Sequence, residues 1–423
     1  MSDESNSNME VGDEDDTEQI VDKIERQKPY QAYLDAPLGL RNHWYAALFG
    51  KDLDEGKCQG ETILGERLLF KRAGGAVYAI ADRCPHRGVA FSARPECYTE
   101  NTVTCWFHGF TFDVRDGTLV QIVTEPDSKL IGKLKHKTYP VREINGLVFV
   151  FIGDLDPVPP IEEDLQPRFL EEGRVFHGVT ASKVRGNWRI AAENGFDASH
   201  IYGHRNAGMF QATDIPVPLS TYPSSKDGVK MQDAETGPWG IIKADDTNIW
   251  AAEIEGVMIT APNAQPDAPP EYDITVGIFL PGALQVNHFP APHLVHFEWF
   301  TPIDEDHHKY FIVHGTLAET PEEIEKFHTE CEQIFTPAVW QDPDKQTDPS
   351  GDGPEWGFNN FDAFGREQSH HAYHYEDFWH KERLFRPDYI IVQWRMLVSK
   401  RMRGTQKWGD WAPTRGWSPT DKK

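Results

Sequence analysis

Two cysteine–histidine pairs constrain this chain more than any other feature of its sequence. In "CPHRG" one residue separates Cys84 from His86, and in "CWFHG" two residues separate Cys105 from His108, with 18 residues between the pairs. Strand-like segments flank both pairs, so we expect each pair on a loop between strands. Four such ligands on neighbouring loops would bind one inorganic centre, and the strands around them would have to fold about it.

The identity of that centre follows from the ligand types and spacing. Two cysteines and two histidines could hold a structural zinc ion, but Cys-x-His is tighter than the usual spacing of zinc fingers. Gly88 and Gly109 follow the histidines, where the backbone can approach inorganic sulfur closely and donate hydrogen bonds to it. A Rieske [2Fe-2S] cluster takes two cysteines on one iron and two histidines on the other. The pattern therefore favours a Rieske cluster, with zinc as the alternative.

Composition limits the compartment and the partners. The 423 residues include five cysteines, an odd and small number that argues against a disulfide framework and for a cytoplasmic protein. We interpret Cys58, Cys97 and Cys331 as apolar thiols rather than ligands. The net charge of −25 disfavours nucleic acid as a partner. No apolar run approaches the ~20 residues that span a bilayer, and the N-terminus does not resemble a secretory signal.

The chain divides into a tail and two folded parts. Residues 1–20 carry eight acidic and no basic side chains, which predicts an acidic disordered tail over residues 1–29. Residues 30–155 read as short strands joined by turns at Gly74-Gly75, Asp116-Gly117 and Asn145-Gly146, typical of a small antiparallel β domain. After the linker-like "DLDPVPP", mixed strand and helix patterns predict a larger domain over residues 156–423. The expected fold class is α+β.

A second candidate metal site lies in "ENGFDASHIYGH". His200 and His204 are four residues apart and would share one face of a helix, with Asp197 one turn earlier. A metal ion would need a third ligand, which spacing alone does not choose. The candidates are Asp197, Asp362 and three histidines that we expect to be exposed, because their segment has no clean apolar face: His370, His371 and His374.

With these motifs the chain resembles the oxygenase component of Rieske non-haem iron ring-hydroxylating oxygenases. It is most similar to the branch of carbazole dioxygenase and 2-oxoquinoline monooxygenase. The resemblance runs from "LGLRNHWYAALF" near residue 38 to "IIVQWRML" near residue 397. It includes "CPHRG", "TCWFHGFTF", "ENGFDASHIYGH", "LPGALQVNHFP", "HFEWFTPID" and "GFNNFD". For the larger domain it implies a catalytic fold with a central antiparallel sheet flanked by helices.

The resemblance also implies residue roles. The two cysteine–histidine pairs match the Rieske ligands. His200, His204 and Asp362 match the two-histidine, one-carboxylate ligand set of a mononuclear Fe(II). Asp197 matches an aspartate that bridges a Rieske histidine to an iron-ligand histidine, where a carboxylate would fix the imidazole tautomer. The alternative for Asp197 is a helix N-cap.

The implied activity is that of a terminal oxygenase component. It would use O2 and electrons from a ferredoxin to hydroxylate an aromatic or N-heteroaromatic ring, by cis-dihydroxylation or monohydroxylation. The chain has no glycine-rich dinucleotide motif, so the NAD(P)H-dependent reductase would be a separate protein. A homotrimer would place one subunit's cluster beside its neighbour's iron, and basic residues Arg83, Arg87 and Arg115 could help a ferredoxin dock. The alternatives are a Rieske electron carrier and a zinc-stabilised binding protein.

The resemblance also assigns a substrate pocket. Its matched positions are apolar apart from one histidine and would suit a flat aromatic guest. His296 stands where carbazole-type sequences carry glutamine, and residues 221–240 align poorly, so the aromatic substrate is not fixed. The pocket positions are Gly195, Val276, Leu284, Val286, Phe289, His296 and Phe358.

Overall fold

The computed structural model describes residues 28–197, 199–213, 218–221, 229–232, 239–243, 248–261, 275–342 and 357–409. The acidic segment 1–20 lies outside these residues, as do 222–228 and 233–238 of the poorly aligned segment. None of the helices in the described ranges is long and apolar enough to cross a bilayer.

The first part of the chain consists of short antiparallel strands, as its turn signals predict. They form sheets in the orders β1-β10-β9, β2-β3-β4-β8 and β5-β6-β7. The strands are β1 His43–Phe49, β2 Cys58–Ile63, β3 Glu66–Ala73, β4 Ala76–Ala81, β5 Thr102–Thr104, β6 Phe110–Asp113, β7 Leu119–Ile122, β8 Thr138–Tyr139, β9 Val141–Ile144 and β10 Leu147–Ile152.

Three predicted turns join these strands where expected. Gly74 and Gly75 have φ of +60° and +77°, and Asn145 and Gly146 have +53° and +80°. Positive φ at both central residues produces the tight hairpin turn that matches the twist of paired strands. Gly117 (φ +72°) lies in the connection between β6 and β7, which pair antiparallel.

The second part is built on a seven-stranded antiparallel sheet in the order β11-β21-β20-β19-β18-β14-β13. Two further two-stranded sheets pair β12 with β15 and β16 with β17. These strands are β11 Arg174–Arg185, β12 Ser220–Thr221, β13 Val229–Gln232, β14 Trp239–Lys243, β15 Asn248–Ile249, β16 Ala251–Ile254, β17 Val257–Thr260, β18 Thr275–Phe279, β19 Ala283–Asn287, β20 Val295–Pro302 and β21 His307–Leu317.

Helices flank this sheet. The α-helices are α1 Gln31–Leu34, α2 Trp188–Phe196, α3 Gly208–Thr213, α4 Pro321–Glu330, α5 Thr336–Val339, α6 Phe358–Tyr375, α7 Phe378–Lys381 and α8 Tyr389–Arg401. Short 3-10 turns cover Gly50–Asp52, Ile161–Glu163, Pro167–Leu170, His200–His204 and Arg386–Asp388, and one π-helical turn covers Cys331–Phe335.

The two faces of the large sheet pack against different parts of the chain. On one face, Phe297 and Trp299 of β20 lie in a buried cluster with Phe149 of β10. On the other face, a second cluster joins the sheet to Trp188 of α2 and Trp394 of α8. Alternation along β20 explains this division, because successive side chains of a strand point to opposite faces. The α2 side of the sheet is therefore available for a site.

The chain ends of the described region cross between the two parts. Helix α1 packs with the core of the second part, where Tyr33 meets Trp188 with ring centroids 5.7 Å apart. Near the other end, Gln406 returns to the first part, and its Nε2 lies 3.2 Å from Glu66 Oε1. Glu66 is fully buried and also pairs with Arg41 (3.0 Å) and Lys137 (2.8 Å). These contacts tie the first and second parts together.

Candidate active site

The four predicted cluster ligands converge at the tip of the first part. Cys84 follows β4, and Cys105 and His108 lie between β5 and β6, so both pairs are on loops between strands as expected. The two cysteines are buried and hydrogen-bonded to each other, whereas His86 is exposed and His108 is partly exposed. The two imidazole rings lie 4.5 Å apart. Thiols therefore face the protein interior and imidazoles face its surface.

Each loop folds back on its own cysteine in the same way. Gly88 N–H donates to the Cys84 carbonyl (2.8 Å), and Gly109 N–H donates to the Cys105 carbonyl (2.9 Å). Gly88 and Gly109 have φ of +74° and +71°, and a Cβ on Gly109 would lie 2.6 Å from the Val123 side chain. Glycine is therefore required at position 109 both by conformation and by space.

The chemistry of these groups fits a Rieske cluster. Burial raises the pKa of the Cys84 thiol to about 12, whereas the backbone N–H groups of His86 and Arg87 point at its sulfur and favour the thiolate. Coordination to iron would deprotonate such a thiol. Two buried soft ligands on one side and two imidazoles on the other match the two unlike irons of the cluster.

A second group of ligands meets between α2, the following 3-10 turn and α6. Asp362 Oδ1 lies 3.1 Å from Nε2 of His200 and 3.1 Å from Nε2 of His204. One possible ligand atom from each residue lies within 4.8 Å of those of the other two, and His204 and Asp362 are buried. We call His200, His204 and Asp362 the catalytic triad cluster, meaning three possible metal ligands and not a nucleophile–histidine–acid triad. Of the candidates that spacing left open, the structure brings Asp362 to the two histidines.

The local backbone differs from the sequence-based expectation. Asn187 caps α2 by accepting a hydrogen bond from Arg189 N–H (3.2 Å), and α2 ends at Phe196. The two histidines share one face, as expected, but of the separate 3-10 turn His200–His204 rather than of an α-helix. Their rings nevertheless lie 5.0 Å apart, because both turn toward Asp362.

The electrostatics of the catalytic triad cluster are those of an anion between two imidazoles. Burial lowers the pKa of His200, but the hydrogen bond and charge of Asp362 outweigh it and raise the pKa to about 9. Burial lowers the pKa of His204. Burial alone would raise the pKa of Asp362, yet the two histidines hold it well below its usual range. Two imidazoles and one ionised carboxylate are the donor set of mononuclear non-haem iron.

Asp197 lies at the C-cap of α2, beside the catalytic triad cluster. Its Oδ1 accepts hydrogen bonds from Ser199 N–H (2.8 Å) and Ser199 Oγ (2.7 Å). Its contact with the Nδ1 of His200 is through the backbone carbonyl rather than the carboxylate. Within one chain, the Asp197 carboxylate therefore bonds locally to Ser199, and Asp197 is the C-cap of α2 rather than a helix N-cap.

The remaining histidine candidates lie elsewhere. His371 and His374 are exposed as expected, but the expectation is wrong for His370, which is only 1% exposed. His370 is buried because it faces the turn between β20 and β21, where its Nε2 lies 3.1 Å from Asp306 Oδ1. None of the three is grouped with the catalytic triad cluster.

The seven predicted pocket residues line one cavity. It has a volume of about 120 Å³, and His200 and Asp362 form part of its wall. The rings of Phe289 and Phe358 pack against each other with centroids 5.2 Å apart. Phe358 also stacks on the ring of His204 at 3.8 Å. The seven are Gly195, Val276, Leu284, Val286, Phe289, His296 and Phe358.

Sequence reasoning missed the polar residues that hold Asp362. Asn359 Nδ2 lies 3.2 Å from Asp362 Oδ2 and donates to Glu298 Oε1 (2.8 Å), which also pairs with His296 Nε2 (2.7 Å). Asn194 Nδ2 donates to Asp362 Oδ1 (3.2 Å). Strand alternation could have found Glu298, because it lies two residues beyond His296 on the same face of β20.

Both parts of the chain resemble known protein families. A model of the Rieske [2Fe-2S] domain matches residues 43–140, and a model described as homotrimeric ring hydroxylase matches residues 151–406. The chain is 38% identical over 386 residues to the terminal oxygenase component of carbazole 1,9a-dioxygenase from a Sphingomonas species, covering 90% of this chain and 97% of that protein.

Solved structures of carbazole 1,9a-dioxygenase oxygenases also resemble this chain over most of its length. The terminal oxygenase of carbazole 1,9a-dioxygenase from Nocardioides aromaticivorans IC177 has a TM-score of 0.80 and 37% identity, covering 89% of this chain and 98% of that chain. A reduced complex between oxygenase and ferredoxin in carbazole 1,9a-dioxygenase has a TM-score of 0.82 and 35% identity, covering 95% and 98%.

The fold and its two ligand groups define a Rieske-type non-haem iron oxygenase. The chain belongs to the homotrimeric ring hydroxylase family and carries a Rieske [2Fe-2S] domain. It is an oxygenase that uses a Rieske cluster and a mononuclear iron to hydroxylate an aromatic ring. The predicted class and fold are confirmed, in preference to an electron carrier or a zinc-stabilised binding protein.

Proposed function

We propose that this enzyme dioxygenates a neutral, fused-ring aromatic compound of the carbazole class, with electrons supplied by a ferredoxin. The observation that carries the proposal is the apolar cavity beside the catalytic triad cluster. Relatives over nine-tenths of the chain are carbazole 1,9a-dioxygenase oxygenases. The product would be a dihydroxylated ring that retains both oxygen atoms of O2.

The cavity walls favour a flat, uncharged guest. Val276, Leu284 and Val286 supply aliphatic surface, and Phe289 and Phe358 supply aromatic surface. Among the lining residues that the structure describes, none is lysine or arginine. The iron would offset the charge of its proposed ligand Asp362, but Glu298 and Asp197 also line the cavity, so an aromatic carboxylate would meet negative charge and no lysine or arginine. A neutral ring system instead gains from burial against apolar walls.

His200, His204 and Asp362 are the proposed iron ligands. When bound, the iron and the Rieske cluster supply the redox chemistry that activates O2. The protein's own contribution is positioning: Asn194 and Asn359 hold the Asp362 carboxylate, and Phe358 packs against His204. The cavity wall then decides which edge of the ring faces the ligands.

Cys84, His86, Cys105 and His108 are the proposed cluster ligands, in a Rieske domain over residues 30–155 that precedes a catalytic domain over 156–423. Exposed His86 and partly exposed His108 would hold the cluster near the surface, next to Phe107, which is 49% exposed. Electrons from a ferredoxin, reduced by a separate NAD(P)H-dependent reductase, would enter at such an edge. Relatives solved in complex with ferredoxin support this partner.

In a homotrimer, Asp197 is the proposed link between one subunit's cluster and its neighbour's iron. Ser199 occupies Oδ1, so the second carboxylate oxygen is left for the neighbour's His108. A ring of subunits can bring together sites that belong to different parts of one chain. We also propose a cytoplasmic location, which fits five free cysteines in the chain.

Product analysis tests the substrate class. The holoenzyme with a ferredoxin and reductase is supplied with 18O2 and either carbazole or benzoate, and products are identified by mass spectrometry. We expect a carbazole product that contains two 18O atoms, and little conversion of benzoate. Conversion of benzoate alone, or incorporation of one 18O atom, would contradict the proposal.

A further inference from the structure

A second histidine–carboxylate group lies at the other end of α6. Asp306 Oδ1 is 3.1 Å from His370 Nε2 and 3.5 Å from His374 Nδ1, and the two imidazole rings lie 5.2 Å apart. As in the catalytic triad cluster, one ligand atom from each residue lies within 4.8 Å of the others. The geometry is nearly that of the proposed iron site, with distances of 3.1 and 3.1 Å and rings 5.0 Å apart.

This group is separate from the catalytic triad cluster. His370 is eight residues beyond Asp362 on α6, which corresponds to about 12 Å along the helix axis. Its carboxylate comes from the connection between β20 and β21 rather than from a helix. No ligand is shared, so the second group can bind an ion while the iron site is filled.

Two hydrogen bonds fix the main chain of Asp306 within this turn. Asp306 N–H donates to Asp304 Oδ1 (2.9 Å), and the Asp306 carbonyl accepts from Gly186 N–H (2.7 Å) at the end of β11. A Cβ on Gly186 would lie 3.3 Å from Arg366 of α6, so the turn and the helix are packed closely at this point. A ligand fixed in this way loses little freedom when an ion binds.

The two histidines are suited to a metal ion. They lie four residues apart on α6, so their side chains share one face of the helix. His370 is 1% exposed, and its Nε2 is directed at the Asp306 carboxylate. His374 is more exposed and leaves the group open to solvent for the entry of an ion.

We propose that Asp306, His370 and His374 bind a divalent transition-metal ion of the zinc type. Two imidazole nitrogens and one carboxylate oxygen are common zinc ligands, and water would complete a tetrahedral site. The bound ion would cross-link the C-terminal half of α6 to the β20–β21 connection. Because α6 also carries Asp362, the ion would stabilise the helix that supplies the proposed iron carboxylate.

Zinc binding to the iron-loaded enzyme tests this site. The holoenzyme is dialysed against micromolar Zn2+, and zinc and iron per chain are counted together with the thermal midpoint. We expect one zinc per chain at unchanged iron content and a higher midpoint. His374→Gln and Asp306→Asn should each weaken zinc binding at least about tenfold, since even partners behind the ligands contribute 10–100-fold.

His371→Gln is the matched control, because His371 is on the same helix but pairs with Glu376 instead. This variant should bind zinc as tightly as the unaltered enzyme. The proposal is overturned if the unaltered enzyme retains no zinc, if zinc enters only as iron is lost, or if all three variants retain zinc equally. In the first case the group is only a hydrogen-bonded contact between α6 and the turn.

Discussion

Replacing Asp362 with alanine should remove the mononuclear iron and leave the Rieske cluster intact. Asp362 provides the only carboxylate of the catalytic triad cluster and lies 3.1 Å from both histidine nitrogens. Loss of a residue that merely supports a ligand costs about 10–100-fold in metal affinity. We expect loss of the ligand itself to cost at least about 100-fold. The cluster ligands lie on loops between other strands, so the cluster should persist.

The same substitution should destabilise the protein without unfolding it. Asp362 is 5% exposed, and its removal takes an acceptor from Asn194 and leaves two histidines without their anion, whereas Asn359 keeps its bond to Glu298. Breaking a buried ion pair costs about 3–5 kcal/mol. Typical folding stabilities are about 5–15 kcal/mol, so most of the protein should remain folded. The visible spectrum of the Rieske cluster then reports that the fold is retained.

The assay combines iron analysis, cluster absorbance and product formation. Iron should fall from about three to about two per chain, because the cluster holds two irons. Hydroxylation should cease while the cluster spectrum persists. Asp306→Asn is the control, because it removes the carboxylate of the group formed with His370 and His374 and should leave three irons per chain. If Asp362→Ala keeps three irons and still hydroxylates its substrate, Asp362 is not the ligand.

Three further predictions concern the other centres and the fold. His108→Cys should retain a cluster but lower its potential by roughly 250 mV or more, because thiolate ligation replaces a neutral imidazole; voltammetry showing an unchanged potential would contradict the ligand assignment. Asp197→Asn should keep the trimer and both metals but slow Rieske reoxidation in a single turnover, and an unaltered rate would leave Asp197 only its contact with Ser199. Glu66→Gln should cost about 3–5 kcal/mol at pH 7. Burial would raise the pKa of Glu66, but Lys137 and other partners lower it. Its contribution is therefore present above about pH 4.3 and lost as the pH falls through the folded-state pKa, so denaturant titrations that show the same deficit at pH 7 and pH 3 would refute this reasoning.

The sequence was most informative where chemistry is local. Gly88 and Gly109 let both ligand loops turn tightly at positive φ, although their N–H groups donate to the Cys84 and Cys105 carbonyls rather than to inorganic sulfur as expected. Asn145-Gly146 marks a hairpin, and β9 and β10 pair across it. In each case the deciding residues lie within a few positions of one another, so no knowledge of distant packing is needed.

Contacts between residues that are far apart in the chain explain the features that the sequence did not predict. His370 lies in a polar segment without a clean apolar face, yet it is buried because Asp306, 64 residues away along the chain, faces it. Glu298 lies in an apolar strand, where its partners Asn359 and Arg366 come from a helix that begins 60 residues later. Such contacts depend on which helix covers which face of the sheet, and periodicity does not specify that choice.

His296 shows how one non-local contact bears on substrate choice. Its Nε2 faces Glu298 (2.7 Å), and its Nδ1 faces His314 (3.4 Å) on the neighbouring strand. Both ring nitrogens are thus directed at protein partners, whereas a glutamine at this position would offer an amide donor and acceptor on a flexible side chain. His296 therefore acts as a rigid wall of the cavity, packed edge-on to Phe289 at 5.4 Å. We propose that this wall would select an aromatic guest by its shape rather than by a hydrogen bond to a ring nitrogen.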